Sequence, residues 1–181
     1  MILPVTDIKI LIAYFSRRGK NYMDGKVVTL EVGNTEVLAH KIQQLMGGDL
    51  FEIRTLQEYP EEYIDTTRVA RNELRTNARP ELAEYVKNME DYDVVYLGYP
   101  NWWGTFPMAV CTFLESADFS DKTIIPFCTH EGSGIGYSEQ DLQKLCPGAK
   151  LSTGIAIRGG RVASADRQLE EWLLKMTLQS V

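Results

Sequence analysis

Residues 8–15 read IKILIAYF and run directly into Ser16 and Arg17. A nearly unbroken apolar run of this length, stopped by polar residues and then a glycine, describes a strand buried on both faces; a strand with one wet face would alternate. Residues 94–99 (VVYLGY), 123–128 (TIIPFC) and 153–157 (TGIAI) repeat the pattern, and residues 50–55 (LFEIRT) alternate as an edge strand does. Helix-period segments lie between these runs, at residues 35–46, 61–74, 80–89, 106–116, 138–145 and 165–178. Strands alternating with helices need crossover connections, and crossovers make neighbouring strands parallel, with helices on both faces. The expected fold is α/β, a doubly wound five-stranded parallel sheet in one domain over residues 1–181.

The whole composition narrows the functional classes. The chain has 181 residues, 44% of them hydrophobic, and a formal charge of -6. That is enough for one proper core. An acidic surface with interspersed charges offers no footing for a long phosphate backbone, so nucleic acid is not an expected partner. The longest apolar stretches, 8–15 and 94–100, fall far short of the roughly 20 residues a membrane helix requires. Residues 1–4 are too brief for a signal-peptide core, and Cys111, Cys128 and Cys146 form no CxxC pair. The expectation is a cytoplasmic protein without disulfides, metal or membrane contact, monomeric or a weak homodimer. His40 and His130 are the only histidines.

Two features depart from the simple pattern. Pro126 lies inside a strand run, where it cannot donate to a ladder, which predicts a bulge or an unpaired position. Residues 17–32 exceed the 2 to about 6 residues usual between a strand and a helix. They hold Asp24-Gly25 followed by Val27, Val28, Leu30 and Val32, the signature of a small hairpin or ordered lid.

In an open α/β sheet, ligands bind beyond the carboxyl ends of the strands where strand order reverses. Three loops follow the predicted central strands. The first runs from Ser16 to Gly33-Asn34-Thr35, where free N–H groups and the positive end of a helix can hold a phosphate monoester; taken alone, Asn34 or Thr35 reads first as an ordinary N-cap. Arg17, Arg18 and Lys20 are close enough in sequence to reach the same anion or to be simply solvated. No GxxxxGK[ST] pattern is present, so a nucleoside triphosphate is not expected.

The second loop is Pro100-Asn101-Trp102-Trp103-Gly104, which sets two indole faces at a strand end. Such faces suit a planar ring, with Asn101 offering a donor and an acceptor and Gly104 allowing close backbone approach; the alternative is that the tryptophans pack into core or onto a partner. The third is Thr129-His130-Glu131-Gly132-Ser133-Gly134, a glycine-rich loop able to wrap a heterocycle's edge. It is neither GxGxxG nor a GxSxG elbow, so a dinucleotide fingerprint and a serine hydrolase are both set aside. His130 reads as a hydrogen-bonding loop residue or a ring neighbour. Glu131 either accepts a ring N–H or faces solvent.

Taken in order, IKILIAYFSR, GNTEVLAHKI, DVVYLGYPNWWGTFP and TIIPFCTHEGSGIG resemble the flavodoxins, in particular a bacterial flavodoxin-like group with a YPxWWG-type second loop. The resemblance runs from Lys9 to about Leu178. It implies bound FMN, with Ser16, Arg17, Asn34 and Thr35 at the phosphate, and Pro100, Asn101, Trp102, Trp103, Gly104, Thr129, His130, Glu131, Gly132 and Gly134 flanking the isoalloxazine. It further implies low-potential electron carriage between redox partner proteins. An FMN-dependent NAD(P)H or quinone reductase is the alternative on the same fold. A flavin-free phospho-receiver would need an aspartate where Ser16 stands.

Overall fold

The computed structural model describes residues 7–179. The first apolar run forms β1 (Ile10–Tyr14), and the long segment after it folds into a separate antiparallel hairpin, β2 (Gly19–Met23) and β3 (Lys26–Leu30). Asp24 and Gly25 at its tip both have positive φ, 53° and 86°, as a type I′ turn requires. The expected hairpin is therefore present, turned on the expected dipeptide.

Then follow α1 (Asn34–Met46), β4 (Asp49–Glu52), α2 (Tyr63–Thr76), β5 (Val94–Pro100), α3 (Met108–Glu115), β6 (Thr123–His130), α4 (Ser138–Leu145), β7 (Lys150–Leu151), β8 (Ile155–Arg158) and α5 (Asp166–Gln179). The main sheet is parallel in the order β4-β1-β5-β6, with β7 and β8 both beside β6. The chain moves outward from β1 to β4, then crosses back to β5. The order reverses between β1 and β5, which places the crevice at the carboxyl ends of those two strands.

Alternate side chains of each strand feed two cores. Leu11, Ala13, Val95, Leu97 and Tyr99 pack with α3 residues such as Val110 and Phe113 on one face. Ile12, Tyr14, Tyr96, Ile125 and Phe127 meet Leu38 and Ile42 of α1 and Leu169 and Trp172 of α5 on the other. Gly98 is required at the centre, because a Cβ there would run into the Phe127 ring. The three cysteines are free and buried.

The fifth strand position and one helix differ from expectation. The run at 153–157 is a strand only from residue 155, as β8; a separate two-residue strand, β7, pairs with the start of β6, and the gap between the two faces Pro126, the unpaired position expected there. Gly154 lies in that gap, where a Cβ would sit 2.8 Å from both Pro126 Cγ and Pro126 O. The proline's missing donor thus shows up as an interruption of its neighbour. Residues 80–88 are not helical, and only a single 3-10 turn, Met89–Asp91, follows them. Leu82 bridges Thr55, with Leu56 N–H donating to Glu81 O and Ala83 N–H to Arg54 O, both at 2.8 Å. Leu82 and Met89 are buried at a spacing that also suits a helix face, so periodicity alone could not separate the two arrangements.

Candidate functional site

The end of β1 delivers Ser16 to the N-terminus of α1. Ser16 Oγ accepts the Glu36 N–H at 3.1 Å, and the approach is so close that a Cβ on Gly33 would collide with Ser16 Oγ and lie 2.8 Å from Arg17 O. The backbone N–H groups of Asn34 and Thr35, next in that first turn, have no acceptor among the described residues. Thr35 Oγ1 and Thr129 Oγ1 share a buried hydrogen bond of 2.8 Å, joining α1 to the end of β6. Two free amides, the Ser16 hydroxyl, the one hydroxyl hydrogen left over from the Thr35–Thr129 pair and a helix macrodipole therefore meet at one point, a donor set for an anion.

This point opens into a cavity of about 250 Å³, whose walls also include Pro100, His130 and Glu131. It adjoins a second space of about 430 Å³ walled by Trp102, Trp103 and Gly104 on one side and by Tyr63, Ile64 and Thr67 of α2 on the other. The combined size suits a small-molecule ligand with a polar and an aromatic end.

The tryptophan turn is held from several directions. Trp102 meets Phe15 and Tyr59 edge to face, each at a centroid distance of 5.1 Å, which fixes its plane. Trp103 is half exposed, has φ 58°, and donates its indole N–H to Thr67 O at 2.9 Å. Arg71 lies over its ring at 5.2 Å from the centroid. Asn101 uses both ends of its amide within the protein, donating to Gly134 O at 2.8 Å and accepting Gly104 N–H at 2.9 Å. Its role is to brace two loops together, and the donor and acceptor expected for a ligand are already engaged. Gly104 O accepts Tyr137 N–H at 2.7 Å, whereas Trp103 O has no donor among the described residues.

The cations near Ser16 are committed elsewhere. Arg18 forms a fork with the buried Glu36 carboxylate at 2.8 and 3.1 Å, and Lys20 pairs with Glu62. Arg17 lines both spaces yet donates to Lys20 O, Pro60 O and Glu61 O, and its burial lowers its pKa. In the third loop, Gly132 N–H donates to His130 Nδ1 at 2.9 Å, which leaves the ring proton on Nε2. Burial first, and then Arg158, lower the His130 pKa, so the imidazole is neutral at pH 7. Glu131 Oε2 accepts the Asp24 N–H at 3.1 Å and thereby ties the hairpin tip to the cleft. Its Oε1 is buried against Gly159 and Asn34 without a donor among the described residues.

Residues 9–176 match the sequence pattern that defines the flavodoxins. The chain belongs to the flavodoxin family. Its similarity to solved structures agrees with that placement. A protein of Bacteroides eggerthii described as a flavoprotein is 30% identical, with 86% of this chain and 94% of that one covered and a TM-score of 0.69. One from Bacteroides uniformis, described likewise, is 28% identical over 90% and 98%, with a TM-score of 0.71. The Lactobacillus acidophilus flavoprotein in complex with FMN shares the fold at 19% identity, 91% and 98% coverage and a TM-score of 0.65. No curated protein sequence matches the chain.

In this flavodoxin, Ser16, Arg17, Asn34, Thr35, Pro100, Asn101, Trp102, Thr129, His130 and Glu131 all border the first space, and Trp103 and Gly104 border the second. Gly132 and Gly134 lie in the loop that Asn101 braces. Ser133, within the third loop, also borders the first space, whereas sequence reasoning missed Asn21, Tyr22 and Tyr63. Tyr22 of the hairpin and Tyr63 of α2 stack at 5.9 Å with 25° between their planes. The only available signal was their placement on segments read as a lid and a helix start. Tyr137 is 68% exposed and sits beside Gly104. Of the acidic groups near these loops, Glu131 borders the cleft; Glu139 instead accepts Gly154 N–H at 2.8 Å. Among the described residues there is no cluster able to hold a metal ion, and no helix is long and apolar enough to cross a membrane.

Proposed function

We propose that this flavodoxin binds FMN in the joined cleft and carries electrons at low potential between redox partner proteins. The observation that carries the reading is the pair of unpaired N–H groups at Asn34 and Thr35, ringed by hydroxyls, at one end of a cleft whose other end is walled by indole. Neutral donors on a helix N-terminus fit a phosphate monoester, and the flat walls fit a tricyclic ring, so the residues present suit the group. Bound FMN would supply one- and two-electron redox chemistry.

The remaining work falls to the chain. Ser16, Asn34, Thr35 and Thr129 hold the phosphate. Trp102, its plane fixed by Phe15 and Tyr59, and Trp103, pinned to Thr67, exclude water from the ring's faces. Of the two carbonyls in this turn, that of Trp103 would be the one open to a ring N–H, because the Gly104 carbonyl is already taken by Tyr137. Apolar contact and a net charge of -6 would both disfavour an added electron on a ring bound there and so would lower its potential.

The test is a visible spectrum of the purified protein with FMN, followed by anaerobic stepwise reduction and an NAD(P)H oxidation assay. A yellow complex reduced in two resolved stages, without steady NAD(P)H consumption, is the expected result. Steady consumption with a quinone acceptor would make the protein a reductase. Absence of any flavin complex would overturn both.

A further inference from the structure

Arg17 is the one cation that borders both parts of the cleft, and its position invites the role of phosphate ligand. Its hydrogen bonds argue otherwise. Nη2 donates to Pro60 O and to Glu61 O, each at 2.8 Å, and Nη1 donates to Lys20 O. A guanidinium grips a phosphate or carboxylate through two parallel N–H groups, and each of its two forks uses a hydrogen of Nη2. Both of those hydrogens are spent on carbonyls. Arg17 therefore has no fork to offer, although it keeps its charge.

What the three carbonyls have in common is their location. Lys20 O belongs to the hairpin, while Pro60 O and Glu61 O form the chain entering α2, whose first turns wall the ring end of the cleft. The same loop is secured by Thr66 Oγ1, which donates to Pro60 O at 2.7 Å. Further out along this seam lie the Lys20–Glu62 ion pair and the Tyr22–Tyr63 stack. Those contacts are exposed or half exposed and individually weak. Among the described residues, the half-buried Arg17 guanidinium is the only group spanning the seam with three charge-assisted bonds.

We infer that Arg17 is a positioning residue: it ties the hairpin to the start of α2 and so sets the width of the cleft for the ring system, and it does not read the phosphate. The inference rests on the FMN reading above for its ligand, though its structural half does not. A positioning role acts on any flavin equally, whereas a phosphate ligand acts on FMN and not on riboflavin.

The experiment titrates wild type, Arg17→Lys and Arg17→Ala with FMN and with riboflavin, followed by quenching of flavin emission. Both variants should weaken both ligands by about tenfold, the scale of one lost charge-assisted hydrogen bond, and Arg17→Lys, which conserves the charge, should keep the wild-type FMN-to-riboflavin ratio within about twofold. Lysine should not rescue, since one ammonium on a flexible stem cannot span three carbonyls. Millimolar ethylguanidinium should restore Arg17→Ala toward both flavins together. A collapse of the ratio in Arg17→Lys with riboflavin binding unchanged would show that the guanidinium reads the phosphate and would overturn the inference. Hydrogen exchange on the ligand-free variants gives an independent arm: amides of the hairpin and of the first turn of α2 should exchange faster, and unchanged protection there would also overturn it. If wild type binds neither flavin, the functional reading fails while the exchange arm still decides whether Arg17 is the tie.

Discussion

His130 illustrates how a single residue's chemistry follows from its neighbours. The sequence offers a histidine in a glycine-rich loop, a pattern open to catalytic and structural readings alike. In the fold its Nδ1 receives a backbone N–H, and burial together with Arg158 disfavours the charged ring. Arg158→Ala removes the second of those causes, so the His130 pKa should rise toward the ordinary 6.5, as read from the imidazole proton shift by NMR; an unchanged or lower value would contradict the assignment. The linkage sign is definite. Because the folded pKa lies below the unfolded one, the unfolded chain takes up the proton first. The stability involved is complete above pH 6.5 and is lost as pH falls through the folded value.

At the scale of elements, glycines separate two kinds of structural demand. Gly25 has φ 86° and open space where a Cβ would go, so Gly25→Ala meets only backbone strain of about 1 kcal/mol. Gly98 is the reverse: no positive φ, but an aromatic ring where the Cβ would be. Gly98→Ala should cost about 1–3 kcal/mol in the middle of the main sheet. Hydrogen exchange and thermal melts distinguish them. Gly25→Ala should loosen the amides of β2 and β3 and leave the melt nearly unchanged, because that hairpin pairs only with itself; Gly98→Ala should lower the melt. The hairpin was legible from residues 17–32 because its turn chemistry is local. An unpaired position at Pro126 was legible too, but the added strand β7 and the extended course of residues 80–88 were not, because each depends on a partner far away, the start of β6 in one case and residues 54–56 in the other.

For the whole molecule, the cleft couples parts of the chain that the sheet holds at a distance. Asp24 reaches Glu131, and Arg17 reaches Glu61, so a ligand that bridges the loops should stabilise the hairpin and the sheet together. With FMN at 100 times its dissociation constant, linkage gives about 2.7 kcal/mol. For a chain of this length that raises the melting temperature by roughly 5–10 °C. Riboflavin at the same concentration should raise it less, since the Asn34 and Thr35 amides would find no phosphate. Calorimetry with each ligand checks both statements, and equal shifts would place the phosphate outside the α1 site.

Local chemistry written along the chain determined the strands, most of the helices, the parallel sheet that their alternation demands, the Asp24-Gly25 turn and the three loops that meet at the strand ends. Apolar runs, periodicity and turn residues act over a few positions, and so they can be read in one dimension. The tertiary structure alone decided which polar groups remain free for a ligand. Arg17 is engaged 44 residues away, Trp103 36 residues away and Glu131 107 residues away. A donor's availability depends on what folding brings against it, and for these side chains that partner is distant in the chain and near only in space.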